Sequence, residues 1–409
     1  MSIVSGIPQQ AAVAINDMLD NCARIKPGDE ILILANSEGL YGGDNLVDQD
    51  VVSWIKSAIQ VRGINASILW IDEPPKAHAW RFPPILRGAM TECSVLINNT
   101  FDLVTEELTL FRKSAYQRDL RTVRNFATTG PLLCSAWART PYELVSEIRY
   151  QTALNIKGDQ PFRVTDDNGT HLEGVTLPPV TSAVLSRSSV DADSSSANDS
   201  AKSVARPTYA QRREEVGHYF PWPEWVHPYV RIANTNGMFV FDCMLSWWSR
   251  YIGISPYFEK SIKLTIENCC ISKIEGGEEA KALKKFLEMQ KMRYGDMVYS
   301  FDAFHTGVHP QAIIAPHQCP NILTRRLIEH AHTSNLHFHI GAQSSGAVHP
   351  PDYPYWMHCT GDIRAATLRV GDKLIQDRGH LTALDHPAVK AVAAKYPDRP
   401  GLESEPRSW

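Results

Sequence analysis

Apolar positions in the first 150 residues switch between two periods. Residues 11–23 carry apolar side chains at helical spacing, Lys26-Pro-Gly-Asp makes a turn, and Glu30-Ile-Leu-Ile-Leu-Ala follows as an almost continuous apolar run. The same alternation predicts a helix over 50–61, a strand over 66–71, a helix over 85–92, a strand over 94–98 and a helix over 106–117. Short runs that are apolar throughout suit strands covered on both faces, with crossover helices joining them in parallel. The pattern predicts an α/β protein that begins with an open parallel sheet of Rossmann-like type. No Gly-x-Gly-x-x-Gly follows the first strand, so no nucleotide cofactor is expected.

A helix over 141–154 should lead out of this first unit. From Phe162 the texture changes to short strand-like pieces separated by Asp166-Asp-Asn-Gly and Pro178-Pro179. Residues 181–205 are rich in Ser, Ala and Asp; they hold too little apolar surface to order themselves and read as a disordered surface insertion. Tyr219-Phe-Pro-Trp-Pro-Glu-Trp-Val is dense in aromatics and reads as packed or site-lining. A strand is predicted over 297–301, with His305 and His309 in the loop after it. A helix over 278–292 should place Leu283, Phe286, Leu287 and Met289 on one side, and a second is predicted over 323–332. The tail from Ala366 reads as two strands joined at Gly371-Asp372, then a short helix over 389–395. The division expected is a Rossmann-like α/β domain over 1–155 and an α+β catalytic domain over 156–409.

Composition narrows the function classes. At 409 residues the chain exceeds what one core usually supports, and 43% hydrophobic with 21% charged residues is ordinary for a globular protein. A net charge of −4 makes no electrostatic case for nucleic acid or an anionic membrane as partner. No basic start with a long apolar run opens the chain, and no stretch reaches the roughly 18 apolar residues of a membrane span. Eight cysteines are scattered with no Cys-x-x-Cys pair, which suits free thiols in a reducing compartment. A soluble cytoplasmic enzyme acting on a small molecule is therefore expected.

The chemistry concentrates late in the chain. Eleven of fifteen histidines lie at or after residue 305, and nine fall between His305 and His358. Histidine titrates near neutral pH and is the commonest metal ligand. His337 and His339 alternate in Leu336-His-Phe-His-Ile, so a strand would turn both to one face. His358 sits in an aromatic stretch, and no compact His-Glu-x-x-His names a metal. Glu224 lies between Trp222 and Trp225, where an unpaired charge is costly to bury, so it faces either solvent or a cation. Asp302 and Asp362 stand near His305 and His358 in sequence, as ligands or as groups that orient an imidazole. Cys359 beside His358 lacks an orienting third group, which disfavours a Cys/His hydrolase.

Six segments, in order, resemble the thermophilic-type metalloaminopeptidases and the 2,5-dihydroxypyridine 5,6-dioxygenases that share their fold. They are Lys26-Pro-Gly-Asp-Glu-Ile-Leu-Ile-Leu-Ala, Thr165-Asp-Asp-Asn-Gly-Thr, Phe220-Pro-Trp-Pro-Glu, Gly307-Val-His-Pro, His337-Phe-His-Ile-Gly and His358-Cys-Thr-Gly-Asp-Ile. The ending Asp377-Arg-Gly-His-Leu is similar too. In the aminopeptidase branch the resemblance implies two metals, Zn, Co or Mn, held by two glutamates, two histidines and an aspartate. Glu224, His337 and His358 would match three of these, no glutamate stands near 302–305, and Thr360 falls at the aspartate. In the dioxygenase branch it implies one Fe(II) held by two histidines and an aspartate. His305 and His358 would then be the metal ligands, with Thr360 again at the aspartate and Asp362 replacing it only after a local backbone change. Glu224 and His337 would bind or deprotonate substrate, and His309 would be a further contact. The resemblance thus implies a ring-cleaving dioxygenase of a small hydroxylated aromatic or N-heterocyclic compound, assembled as a homo-oligomer. The alternatives are a metal-dependent amide or peptide hydrolase and a diverged metal-free enzyme.

Overall fold

A computed structural model describes residues 6–36, 47–71, 84–100, 120–178, 219–223, 230–341 and 359–403. The predicted helix over 106–117, the Ser-rich insertion over 181–205, Glu224 and His358 lie outside the described residues.

The predicted parallel sheet is present. Glu30–Asn36 (β1), Asn65–Ile71 (β2), Val95–Asn99 (β3) and Arg121–Asn125 (β4) run parallel. After the helix Tyr142–Asn155 the chain forms the hairpin Pro161–Thr165 (β5) and His171–Thr176 (β6), then returns to the first sheet with Tyr219–Trp222 (β7). The sheet order is β2-β1-β3-β4-β7. β1 shows why its run is apolar throughout: Ile31, Ile33 and Ala35 enter one core, while Leu32 and Leu34 meet Leu86, Met90 and Leu96 on the opposite face. Neither β4 nor β7 was expected as a strand. Arg121-Thr-Val-Arg-Asn is polar at all but one position, and its burial comes from the neighbours on each side rather than from its composition.

The second sheet is antiparallel. It contains β5, β6 and the long strand Val230–Met244 (β8), the hairpin Tyr257–Glu267 (β9) and Cys270–Glu275 (β10), then Ala303–Thr306 (β11), Leu336–Ile340 (β12) and Cys359–Ile363 (β13). Thr367–Val370 (β14), Lys373–Asp377 (β15) and His380–Leu381 (β16) complete it, with the predicted turn at Gly371-Asp372. β8 pairs with β11 through Val230 and Arg231 and with β13 through Cys243 and Met244, so one long strand brackets β11, β12 and β13, the first two of which bear histidines.

Several expectations are corrected. Residues 295–299 form a 3-10 turn rather than part of a strand, and the strand that follows carries His305 itself. Gly295 at positive φ and Asp296 favour the turn, whereas Ala303-Phe-His-Thr fits a pleated, fully buried position. The helix Glu278–Tyr294 buries Leu283 and Leu287 with Phe286 partly covered, but Met289 is exposed because it lies well off their shared stripe. The helix over 11–23 is Gln9–Asp17 continued by a wider π-turn over Met18–Ala23, ended by Arg24 in the left-handed region.

The C-terminal helix Pro387–Ala393 and the residues after it tie the end of the chain to its beginning. Glu143 accepts from Lys395 Nζ at 2.5 Å and from Tyr396 Oη at 2.7 Å, and Arg399 reaches Asp17 at 3.0 Å. One cluster of buried apolar side chains runs from Ala11 through Val123 and Phe239 to Val389. The histidine-bearing strands are thus fixed at the centre of a continuous packed body. No helix among the described residues is long and apolar enough to cross a membrane.

Candidate metal centre

Strand alternation and register assemble the site. β11 and β12 pair His305 with His337 and Phe304 with Phe338; β12 and β13 pair His337 with Asp362, Phe338 with Gly361 and His339 with Thr360. Paired residues share a face and neighbours along a strand oppose each other. His305, His337, His339, Thr360 and Asp362 therefore lie on one face, and Phe304, Phe338 and Gly361 on the other. The second face packs on an aromatic cluster: Phe338 stacks on Phe301 at 5.0 Å and meets Phe239 edge-on at 5.2 Å. Gly361 is needed there, because a Cβ would lie 2.6 Å from Phe241 and 2.8 Å from Phe239. An apolar clamp on one side thus sets the height of the polar groups on the other.

His305 stacks at 4.8 Å from His337 and at 4.7 Å from His339, and all three are buried. One nitrogen from each lies within 4.8 Å of the others, a set that could hold a metal ion. Burial, then the neighbouring His330, His305, His339 and Arg326, holds the pKa of His337 well below the ordinary histidine value. Its imidazole is neutral, the form that binds metals. Among the described residues, His337 Nδ1 and Thr360 Oγ1 have no hydrogen-bond partner although both are buried. Buried polar atoms are normally satisfied, so this orphaned nitrogen on a three-imidazole face fits a bound ion. Such donors suit iron, zinc, cobalt or copper alike and do not choose between them.

A second set, His330, His337 and Asp362, also has its donor atoms within 4.8 Å of one another. Asp362 enters this face by plain alternation, two residues beyond Thr360 in an unbroken register, opposite His337 rather than His339. One of its carboxylate oxygens is already engaged, while the other, Oδ1, is buried with no hydrogen-bond partner among the described residues. The helix Ile322–Glu329 brings Arg326 onto one Asp362 oxygen, and His330 Nδ1 donates to the same oxygen at 2.8 Å. Burial favours the neutral acid, but Arg326 and His330 outweigh it and keep the Asp362 pKa below the usual carboxylate range. Asp362 in turn holds Arg326 charged against its own burial. Tyr257 Oη donates to Glu329 beside this pair. The spacing of Arg326, Glu329 and His330 is helical, a signal in the sequence that these three would meet a common neighbour.

The other expected residues fall as follows. His305 and His337 are brought together on one face; His339, noted only for its alternation, joins them. Thr360 faces the same side, opposite His339. His309 sits elsewhere, in the segment after β11, against Trp137 at 6.3 Å and bridged by backbone to His332. Gln311 N donates to His309 Nδ1 at 3.1 Å, and burial with His332 nearby pulls the His309 pKa down to about 3. Asp302 is buried one residue before β11. All eight cysteines are free; burial pushes the Cys359 thiol pKa up, so it is no ready nucleophile.

No protein-family model and no curated protein matches this sequence. Solved structures do match in fold. The 2,5-dihydroxypyridine dioxygenase of Pseudomonas putida superposes with a TM-score of 0.59 at 15% identity, covering 91% of this chain and 96% of that one. AmpT from Thermus thermophilus gives a TM-score of 0.50 at 9% identity, covering 91% of this chain and 98% of that one. At these identities the likeness is one of architecture, and the chain has the α/β fold that these two structures share.

Proposed function

We propose that this protein is a metal-dependent enzyme whose single ion, iron, is held by His305, His337 and His339, and that it opens the ring of a small hydroxylated aromatic or N-heterocyclic compound with dioxygen. The observation that carries the reading is the trio of buried imidazoles on one sheet face, with the neighbouring Asp362 already engaged by Arg326. The dioxygenase fold relative supports the substrate class; His358 and Glu224, expected as ligand and substrate group, lie outside the described residues.

When bound, a ferrous ion would supply redox chemistry toward oxygen and Lewis-acid polarisation of a substrate oxygen. The chain's own residues do the rest. His337, neutral and depressed in pKa, is a weak proton acceptor, so it serves better as a donor to the ion than as the general base. Thr360 Oγ1, buried on the same face, offers a hydroxyl that can donate to or accept from a substrate oxygen. His305, His337, His339 and Thr360 are all buried, and burial strengthens the polar contacts made there.

A second reading, amide or peptide hydrolysis at two metals, draws on the His330–His337–Asp362 set. Metal analysis separates the two. Protein purified without oxygen should hold about one iron per chain and consume oxygen with dihydroxylated pyridines or benzenes. Two zinc, cobalt or manganese ions per chain, with cleavage of amino-acid amides and no oxygen uptake, would replace the first reading by the second.

A further inference from the structure

The two donor sets share His337 but differ in charge. The first is made of imidazoles alone. The second includes Asp362, whose carboxylate is fully buried and ion-paired to Arg326, itself 1% exposed. A guanidinium stays protonated at any ordinary pH, so this positive charge is permanent. It comes from the helix Ile322–Glu329, packed over the histidine face, and Tyr257 flanks it with its ring centroid 6.0 Å away. A divalent ion on His330, His337 and the unpartnered Oδ1 of Asp362 would sit beside this permanent cation, and the repulsion between them is large in a buried site.

We propose that Arg326 is a built-in cation that closes the second donor set and limits the histidine face to one metal ion. It occupies the electrostatic place of a second metal: it neutralises Asp362 and fixes the carboxylate that also receives the His330 Nδ1 proton. Without Arg326, His330, His337 and Asp362 form a site for a divalent transition metal, two neutral nitrogens and one carboxylate, chemistry suited to zinc or cobalt. This inference rests on the reading of His305, His337 and His339 as the first metal's donors. It is a statement about stoichiometry, independent of which reaction that metal serves.

Cobalt titration of the metal-free full chain, followed by calorimetry and by metal content after desalting, tests it. Wild type should saturate at one cobalt per chain. Arg326→Met should saturate at two, the second bound at least about 100-fold more tightly than any further cobalt on wild type, in line with a carboxylate released to coordinate. Arg326→Met combined with Asp362→Asn should return to one. Saturation of Arg326→Met at one, or of wild type at two, overturns the inference. No cobalt on wild type overturns the three-histidine reading instead, whatever the variant does. Should Arg326→Met fail to fold without metal, refolding with excess zinc should recover it with two zinc per chain, because the ion replaces the missing positive charge. If it stays unfolded with zinc while the double variant folds, the inference fails.

Discussion

Asp362 stands directly opposite His337 across the β12–β13 pair, yet its carboxylate bonds to Arg326 and His330 from the helix packed over the sheet. The aspartate is therefore part of the histidine face in position and withdrawn from it in charge. A carboxylate can share a face with a metal site and still attract a second cation only weakly, because the guanidinium beside it already balances its charge.

The imidazoles and Thr360 should respond in opposite directions. His305→Ala, His337→Ala and His339→Ala should each weaken iron or zinc binding by more than the roughly 10–100-fold typical of losing an outer partner of a metal ligand. Thr360→Asp, opposite His339, should tighten it by adding a carboxylate to a face of neutral donors. Metal content and the metal-dependent rise in melting temperature measure both. Unchanged binding in all three histidine variants would remove the site.

Breaking the Asp362–Arg326 pair should be costly for stability. Asp362→Leu or Arg326→Met, measured in metal-free protein by denaturant unfolding, should each cost about 3–5 kcal/mol because a charge is left buried and alone. The double variant Asp362→Leu with Arg326→Met should cost clearly less than the sum. Additive losses would mean that the two charges do not depend on each other.

Gly361→Ala tests whether the aromatic clamp sets the metal face. Its methyl would meet Phe241 and Phe239, a clash expected to cost about 1–3 kcal/mol. Thr360 and Asp362 flank this residue on the opposite face, so metal affinity should fall together with stability. A stable variant with normal metal binding would show that the two faces are uncoupled.

His309 should shape the acid limb of stability. Its folded pKa, about 3, lies below the ordinary 6.5, so as pH falls the unfolded chain takes up a proton that the native chain refuses. Stability should therefore decline between about pH 6.5 and pH 3, with this one group contributing up to about 1.4 kcal/mol per pH unit. His309→Gln removes the titration and should flatten that limb relative to wild type in unfolding curves. An identical pH slope in the variant would assign the decline to other groups.

The sequence by itself determined the local elements whose period is strong. The apolar run of β1, the helix Gln49–Gln60 and the alternation of His337 and His339 were legible because each depends on neighbours within one turn or one pleat. The clustering of histidines after residue 305 was equally plain, and so was the class of fold.

Register and packing decided the rest. That His305 meets His337, that Asp362 falls opposite His337, and that Arg326 descends on that carboxylate are contacts between residues up to 36 positions apart. No period along the chain encodes them. β4 was missed for the same reason, since a mostly polar strand is made a strand by the neighbours that bury it. The sequence determined that this region is rich in metal-binding side chains; only the tertiary structure decided which imidazoles face one another and which carboxylate already has a cation.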